Sequence, residues 1–128
     1  PSKRLLTVEK TLKKGFLTGI SMMPLIPYIS DTTEQLHLAF STFKKRQVDY
    51  VLPATITLHG SGKASSKTLM QNAIKKYYPE LETKYLKFFA QSAEMPLYYR
   101  NAFYKKMKEL CREYQLRDSI MGSIGKTE

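Results

Sequence analysis

The sequence is poor in cysteine, glycine and proline, and each shortage excludes a class of protein. Cys111 is the only cysteine among 128 residues, so the chain can form no internal disulfide and no zinc or iron–sulfur site made of its own cysteines alone. Six glycines and six prolines are too few for a collagen-like or linker-like chain. We therefore expect a protein of a reducing, intracellular compartment.

Long apolar runs are also missing. No stretch approaches the roughly 18 to 20 apolar residues that span a bilayer, and the N-terminus lacks the apolar core of a signal peptide. The expected location is the cytoplasm, without a membrane partner. The chain begins at Pro1 with the basic stretch Pro-Ser-Lys-Arg, and we expect it to be a piece of a longer polypeptide.

Acidic residues are scarce as well. The chain has 11 Asp plus Glu against 21 Lys plus Arg, a formal net charge of +10, while 42% hydrophobic residues suffice for an ordered core. Residues 1–78 hold 12 basic and 4 acidic residues, and residues 79–128 hold 9 and 7, so the first part carries most of the excess. A positive field of this kind suits nucleic acid or another polyanion.

The first half of the chain has the pattern of a strand–helix–strand unit preceded by a helix. The predicted helix, strand, helix and strand cover 2–14, 16–23, 31–46 and 48–58. Gly15 ends the first helix, and Pro24 ends the first strand, whose apolar run predicts burial on both faces. Asp31 and Glu34 resemble a capping box at the start of the second helix. Pro53 predicts an interruption of the second strand.

The second half has a helical pattern. Its predicted helices cover 65–78, 79–91 and 97–116, and the tail 118–128 is predicted to fray. Cys111 lies on the apolar face of the last helix and is predicted to be a buried small hydrophobe. The predicted fold class is α/β, with a parallel βαβ portion over 1–64 and a helical C-terminal region over 65–128.

The loop after the second strand combines glycines, a lysine and a following helix start, which suits a phosphate or another anion. Its candidate anion-binding residues are His59, Gly60, Gly62 and Lys63. The loop is not a P-loop, because Thr57 and Ala64 stand where that motif has glycine and Ser or Thr. A flexible loop with solvated lysines is the competing interpretation.

Aromatic residues interleave with lysines, as in proteins that bind single-stranded nucleic acid. Tyr85, Phe88 and Phe89 have the spacing of a helix core, so we predict that they pack inside. The more exposed set is predicted over 98–100. His37 is predicted at a core boundary, and no cluster of histidines or carboxylates has the spacing of metal ligands.

One segment carries a family resemblance. Residues 19–34 read Gly-Ile-Ser-Met-Met-Pro-Leu-Ile-Pro-Tyr-Ile-Ser-Asp-Thr-Thr-Glu, in which a strand ends in a Pro-x-Ile-Pro-x-x-x-Asp loop and a helix begins near the Glu. This segment resembles radical S-adenosylmethionine (SAM) proteins of the spore photoproduct lyase-like group. The resemblance extends over 2–90 and includes the Tyr-Pro-Glu sequence at 78–80. Tyr28 stands where the family has a small residue.

The resemblance implies a partial (β/α) barrel, to which this chain contributes later strands and closing helices. It implies SAM and a [4Fe–4S] cluster as cofactors of the parent protein, whose Cys-x3-Cys-x2-Cys motif is absent here. No cofactor is therefore expected for this chain alone, and catalysis needs the upstream half of the same polypeptide. The residues placed by the resemblance near the adenosyl part of SAM are Pro24, Ile26, Pro27, Leu52, Pro53 and Ala54.

Three functions stay open at this point. The first is the C-terminal portion of a radical SAM enzyme with lyase-like chemistry, in DNA repair or otherwise on nucleic acid. The second is a non-enzymatic, basic nucleic-acid-binding module, and the third is an α/β domain whose lysines are simply solvated. In each case two parallel strands leave both sheet edges open, so we expect the C-terminal helices or a second copy of the chain to cover them.

Overall fold

The computed structural model describes residues 1–121 and contains, within them, five α-helices and a two-stranded parallel sheet. In chain order the elements are α1 (Ser2–Lys13), β1 (Gly19–Leu25), α2 (Thr33–Lys45), β2 (Tyr50–Thr55), α3 (Ser66–Tyr77), α4 (Glu82–Phe88) and α5 (Leu97–Glu113). The predicted α/β class with a parallel strand–helix–strand unit is confirmed. None of these helices is long and apolar enough to cross a bilayer. Residues 122–128, the end of the tail predicted to fray, lie outside the described residues.

The chain divides into two compact units. The first unit contains residues 1–54 and the chain from 104 onward, and the second contains 55–103. The sequence places its domain boundary at residue 64 instead. The boundary between Phe103 and Tyr104 falls inside α5, so the first part of this helix belongs to the second unit and the rest belongs to the first unit.

The core of the first unit is apolar and draws on α2, both strands and the second part of α5. Its buried side chains are Leu25, Pro27, Leu36, Phe40, Phe43, Val48, Val51, Met107, Leu110, Cys111 and Leu116. Burial of Cys111 confirms its predicted place in the core. The half-buried His37 lies at the boundary of this core, as predicted, with its Nδ1 atom 2.9 Å from the Tyr114 hydroxyl.

Helices α1, α2 and α5 end in the same way. In each, a residue with positive φ follows the helix: Gly15 (81°), Gln47 (58°) and Gln115 (53°). The next residue then donates its N–H to a carbonyl five residues earlier, as Val48 does to Phe43 at 3.3 Å. Gly15 is the only one of the three that the sequence marks as a helix end.

The two strands differ from their predicted limits. β1 begins at Gly19 and continues through Pro24 to Leu25, so Pro24 does not end it. Only Leu25 of β1 is buried, although the apolar run predicts burial on both faces. Burial of both faces requires a layer on each side of a sheet. The described chain leaves Met23, at 52% exposure, open to solvent.

The start of α2 also differs from the prediction. Thr32, rather than Asp31, is the N-cap, and its hydroxyl oxygen accepts a hydrogen bond from the Gln35 N–H at 3.4 Å. The carboxylate of Asp31 instead accepts from the N–H of Tyr28 at 2.7 Å. The capping side chain is therefore one residue later than the sequence pattern indicates.

The second unit packs α3 against a short 3-10 turn, Pro79–Leu81, and α4. The predicted packing of Tyr85, Phe88 and Phe89 is confirmed, since all three are buried. The predicted helix over 79–91 is shorter, because Pro79 starts a 3-10 turn and α4 ends at Phe88. The Lys67 ammonium donates a hydrogen bond to the Phe89 carbonyl at 2.5 Å and so supplies a partner for a carbonyl at the C-terminal end of α4.

Candidate functional site

Asp49 and Gly19 fix the start of β1 beside the start of β2. The Asp49 N–H donates to the carbonyl of Thr18 at 2.8 Å, and its carboxylate accepts from the Thr18 N–H at 2.7 Å. The Tyr50 ring lies directly over Gly19, where a Cβ would overlap it. These contacts set the register, so the two parallel strands also end at the same edge of the sheet.

The turn after β1 is closed by its own side chains. The hydroxyl oxygen of Ser30 accepts from the Ile26 N–H at 2.7 Å, and the Ser30 N–H donates to the Ile26 carbonyl at 2.9 Å. Tyr28, held by its N–H bond to Asp31, has a φ of 62°. This left-handed conformation is costly for a side chain such as tyrosine and free of steric cost for glycine.

The end of β2 continues through a proline. The Val51 N–H donates to the carbonyl of Arg117 at 2.8 Å, on the edge of β2 away from β1. Strand residues two apart direct their backbone groups to the same side, so the nitrogen of Pro53 also faces away from β1. Pro53 therefore costs no hydrogen bond between β1 and β2. The predicted interruption is wrong, since β2 runs on to Thr55.

The six residues that the resemblance places near SAM lie towards the carboxyl ends of two neighbouring parallel strands and in the turn after the first strand. They are Pro24, Ile26, Pro27, Leu52, Pro53 and Ala54. Pro24 is exposed, Ile26 and residues 52–54 are half-buried, and Pro27 is fully buried. The open part of this set is apolar, so it can contact an apolar part of a ligand but supplies no acid, base or nucleophile.

The predicted anion-binding loop lies in the second unit. Its residues His59, Gly60, Gly62 and Lys63 are all exposed. The His59 carbonyl accepts from the Lys67 N–H at 3.2 Å, and its N–H donates to the Ser66 hydroxyl oxygen at 2.8 Å. The Ser65 hydroxyl oxygen accepts from the Thr68 N–H at 3.3 Å. The N–H groups of Lys67 and Thr68, in the first turn of α3, are thus hydrogen-bonded within the chain, as in an ordinary capped helix.

A groove of about 550 Å³ lies between β1 and α1. It is lined by Gly19, Ile20 and Ser21 of the strand and by Leu5 and Val8 of the helix, among others. Consecutive strand residues point to opposite faces, so a groove that touches all three strand residues follows the edge of β1. No strand within residues 1–121 pairs with this edge, whereas the outer edge of β2 meets Arg117.

Cys111 does not fit a cluster ligand. It is buried, and burial raises the pKa of its thiol to about 11, with a further contribution from the Asp118 carboxylate. A thiol of this kind stays protonated at neutral pH, whereas a cluster binds the thiolate. Across residues 1–121 no three His, Cys, Asp or Glu side chains group as metal ligands would. Any iron–sulfur cluster needs cysteines from elsewhere.

Of residues 98–100, which the sequence predicts to be exposed, one is open to solvent and two contact other side chains. Tyr98 is 68% exposed, but the Tyr99 ring packs 5.6 Å from that of Phe88. Arg100 forms an ion pair with Glu94 at 2.9 Å. Only Tyr98 of this set presents an open aromatic face.

Sequence reasoning missed the roles of Asp49 and of the Tyr28 backbone. For Asp49 the available signal was its place directly before an apolar strand, next to Tyr50. For Tyr28 the signal was a tyrosine in a proline-flanked turn where the resembled family has a small residue. Neither signal identifies a hydrogen-bond partner without coordinates.

In comparisons with known proteins, no family model, no curated protein and no solved structure matches this chain.

Proposed function

We propose that this chain is the C-terminal part of a radical SAM protein resembling the spore photoproduct lyase-like group. In this proposal β1 and β2 are adjacent later strands of a partial (β/α) barrel, and their carboxyl ends contact the adenosyl part of SAM. The upstream half of the same polypeptide holds the [4Fe–4S] cluster. The chain is not catalytically competent by itself.

The observation that carries this proposal is the φ of 62° at Tyr28. The resemblance, based on residue types alone, assigns a small residue to this position. A left-handed residue is the physical reason for such a preference, because glycine adopts this conformation without a steric penalty. A glycine would fit this left-handed position, which supports the proposal, whereas the tyrosine itself departs from the family pattern.

The parallel arrangement of the strands gives a second line of support. In open α/β sheets and in barrels, ligands bind at the carboxyl ends of parallel strands. Pro24 at the end of β1 and Ile26 just after it follow this rule, as do residues 52–54 in β2. Pro27 is fully buried, so we assign it to supporting the turn rather than to touching the ligand.

The free edge of β1 gives a third line of support. A barrel strand has a neighbour on each side, and β1 has β2 on one side only within the described residues. The groove along its other edge is lined largely by apolar side chains, including Leu5, Val8 and Phe43. We assign this edge to a strand from the upstream half of the polypeptide.

Each part of the machinery has a separate task in this account. The cluster with SAM, when bound, supplies one-electron cleavage chemistry. Ile26, together with Leu52 and Ala54 on one face of β2, contributes apolar contact that orients the adenosyl group and excludes water from it. The bonds between Ile26 and Ser30 and between Tyr28 and Asp31 hold the turn in the shape that places these side chains.

The proposal is tested by SAM binding to the anaerobically purified parent protein, measured by equilibrium dialysis. Ala54→Leu adds volume at the proposed contact and is expected to weaken SAM binding about tenfold, as overpacking by about 1–3 kcal/mol would do. Ala102→Leu, an equal change at an exposed position of α5, is the matched control. Iron content should be the same in all three proteins. Failure of the unmodified parent protein to bind SAM, or equal binding by both variants, would contradict the proposal.

A further inference from the structure

The C-terminal ends of α1 and α2 carry a concentration of positive charge. The six cations there are Lys10, Lys13, Lys14, Lys44, Lys45 and Arg46. Both helices lead within a few residues into the amino ends of their strands, β1 and β2. The cations therefore belong to the end of the sheet opposite the candidate SAM site.

A groove of about 420 Å³ joins the two helix ends. It is lined by Glu9, Leu12, Lys13, Lys45, Arg46 and Gln47. The only carboxylate among these six residues, Glu9, is already paired with Arg46. The groove thus has cations on both walls and an excess of positive charge.

Helix stability accounts for only part of this arrangement. Cations at a helix C-terminus interact favourably with the helix dipole, which explains why each helix ends in lysines. The Glu9–Arg46 ion pair joins the two ends but offsets only one cation, so Lys13 and Lys45 line one groove as like charges that repel each other. A polyanion in the groove would remove this repulsion.

We propose that this groove binds the phosphate backbone of a single-stranded nucleic acid. Lysine and arginine on both walls suit successive phosphates. Phe16, three residues after the groove-lining Lys13, is 61% exposed, and we assign it to stacking on a base. This surface is separate from the proposed SAM site, and the inference holds whether or not the chain belongs to a SAM protein.

An anionic membrane is the other polyanion with similar charge, and the structure favours it less. A helix that lies on a membrane inserts its apolar face among the lipids. The apolar face of α1, formed by Leu5, Val8 and Leu12, is half-buried within the first unit. A groove with cations on both walls fits a narrow chain of phosphates better than a flat surface.

The test is fluorescence anisotropy of the 128-residue chain with a labelled dT12 or rU12 oligonucleotide, at several salt concentrations. Lys13→Ala/Lys45→Ala should weaken binding about tenfold, and the slope of log K against log salt should fall by about 0.7 for each lysine removed. The matched control, Lys105→Ala/Lys108→Ala, removes two exposed lysines from α5 and should bind within about twofold of the unmodified chain, because it removes no proposed phosphate contact. Tighter binding of one oligonucleotide identifies the kind of strand and supports the proposal in either case.

Phe16→Ala separates stacking from charge. It should weaken binding at least about fivefold without changing the salt slope, since it removes a base contact but no phosphate contact. The proposal is overturned if the unmodified chain binds neither oligonucleotide, or if it binds only vesicles of phosphatidylserine. It is also overturned if Lys75→Ala/Lys76→Ala, on α3, reduces binding and the groove variant does not.

Discussion

Tyr28 has a strained backbone angle in the turn of the candidate site. Its φ of 62° costs an L-residue about 1–2 kcal/mol, and its ring is 44% exposed, so core packing does not explain the choice of residue. Strained residues persist where the surrounding structure holds them, and here the Tyr28 N–H is bound by Asp31. The strain lies in the turn that positions the proposed SAM contacts.

The strain at Tyr28 is measured by comparing two substitutions. Tyr28→Gly and Tyr28→Ala both remove the ring, but only glycine adopts this φ without penalty. We expect the free energy of unfolding of Tyr28→Gly to exceed that of Tyr28→Ala by about 1 kcal/mol in urea titrations followed by circular dichroism. Equal stability of the two variants would show that the turn does not hold this residue in the left-handed region.

Cys111 makes stability depend on alkaline pH. Burial raises the pKa of its thiol to about 11, above the ordinary value of 9.0, so the unfolded chain loses this proton first as the pH rises. The stabilising effect of the protonated thiol is complete below pH 9 and is lost as the pH rises towards 11.

The contribution of Cys111 is isolated by subtracting the unfolding free energy of Cys111→Ala from that of the unmodified chain at each pH. We expect this difference to be constant up to about pH 8.5 and then to fall by about 2–3 kcal/mol by pH 11.5. All other side chains are identical in the two proteins, so their contributions largely cancel in this difference. A difference that stays constant throughout would mean that the thiol is not shielded from water.

At the scale of elements, the helix ends divide into those that the sequence marks and those that it does not. Gly15 ends α1 and is a familiar signal, but Gln47 and Gln115 take the same conformation without being glycine. Capping bonds from the N–H groups of Val48 and Leu116 to carbonyls five residues earlier hold them there, and both of these residues are buried. Local sequence contains no mark of such a bond.

Gln47 is therefore a position where a substitution should stabilise the protein. Gln47→Gly removes the left-handed penalty while keeping the hydrogen bond from Val48 to Phe43, and should raise the free energy of unfolding by about 1 kcal/mol. Gln47→Ala, which keeps the penalty, is the control and should give no gain. Thermal unfolding of the two variants checks this, and a gain in the alanine variant equal to that in glycine would contradict it.

The strands show why proline is an uncertain boundary in a sheet of two strands. The sequence predicts a strand break at both Pro24 and Pro53, because a proline cannot donate to the ladder. In a strand whose neighbour pairs on one side only, every second nitrogen points away from that neighbour. Pro53 occupies such a position, as the direction of the Val51 N–H establishes.

At the scale of the whole molecule, the order of elements could be predicted and their grouping could not. The apolar run 48–58 reads as one strand, but the chain divides after Ala54. Beyond that point Thr57 forms an antiparallel bridge with Glu94, and the Leu58 N–H donates to the Ala93 carbonyl at 2.7 Å. The hydrogen-bond partners of Thr57 and Leu58 lie more than thirty residues away in the chain. The periodicity of the run does not indicate such partners.

The two predicted sites depend on different kinds of structural information. The residues around Pro24 and Leu52 come together because parallel strands bring their carboxyl ends to one edge, which is a rule of topology. The loop at 59–63 depends on individual hydrogen bonds, and its His59 carbonyl accepts from the Lys67 N–H. Topology could be inferred from the element pattern, whereas the capping bonds required coordinates.

The central claim is that this chain completes a barrel whose cluster-binding part lies upstream in the same polypeptide. The most direct measurement is the coding sequence immediately upstream of Pro1. We expect an open reading frame that continues upstream and contains a Cys-x3-Cys-x2-Cys motif ahead of further alternating strands and helices. An upstream reading frame without that motif, or a stop codon directly before this segment, would contradict it.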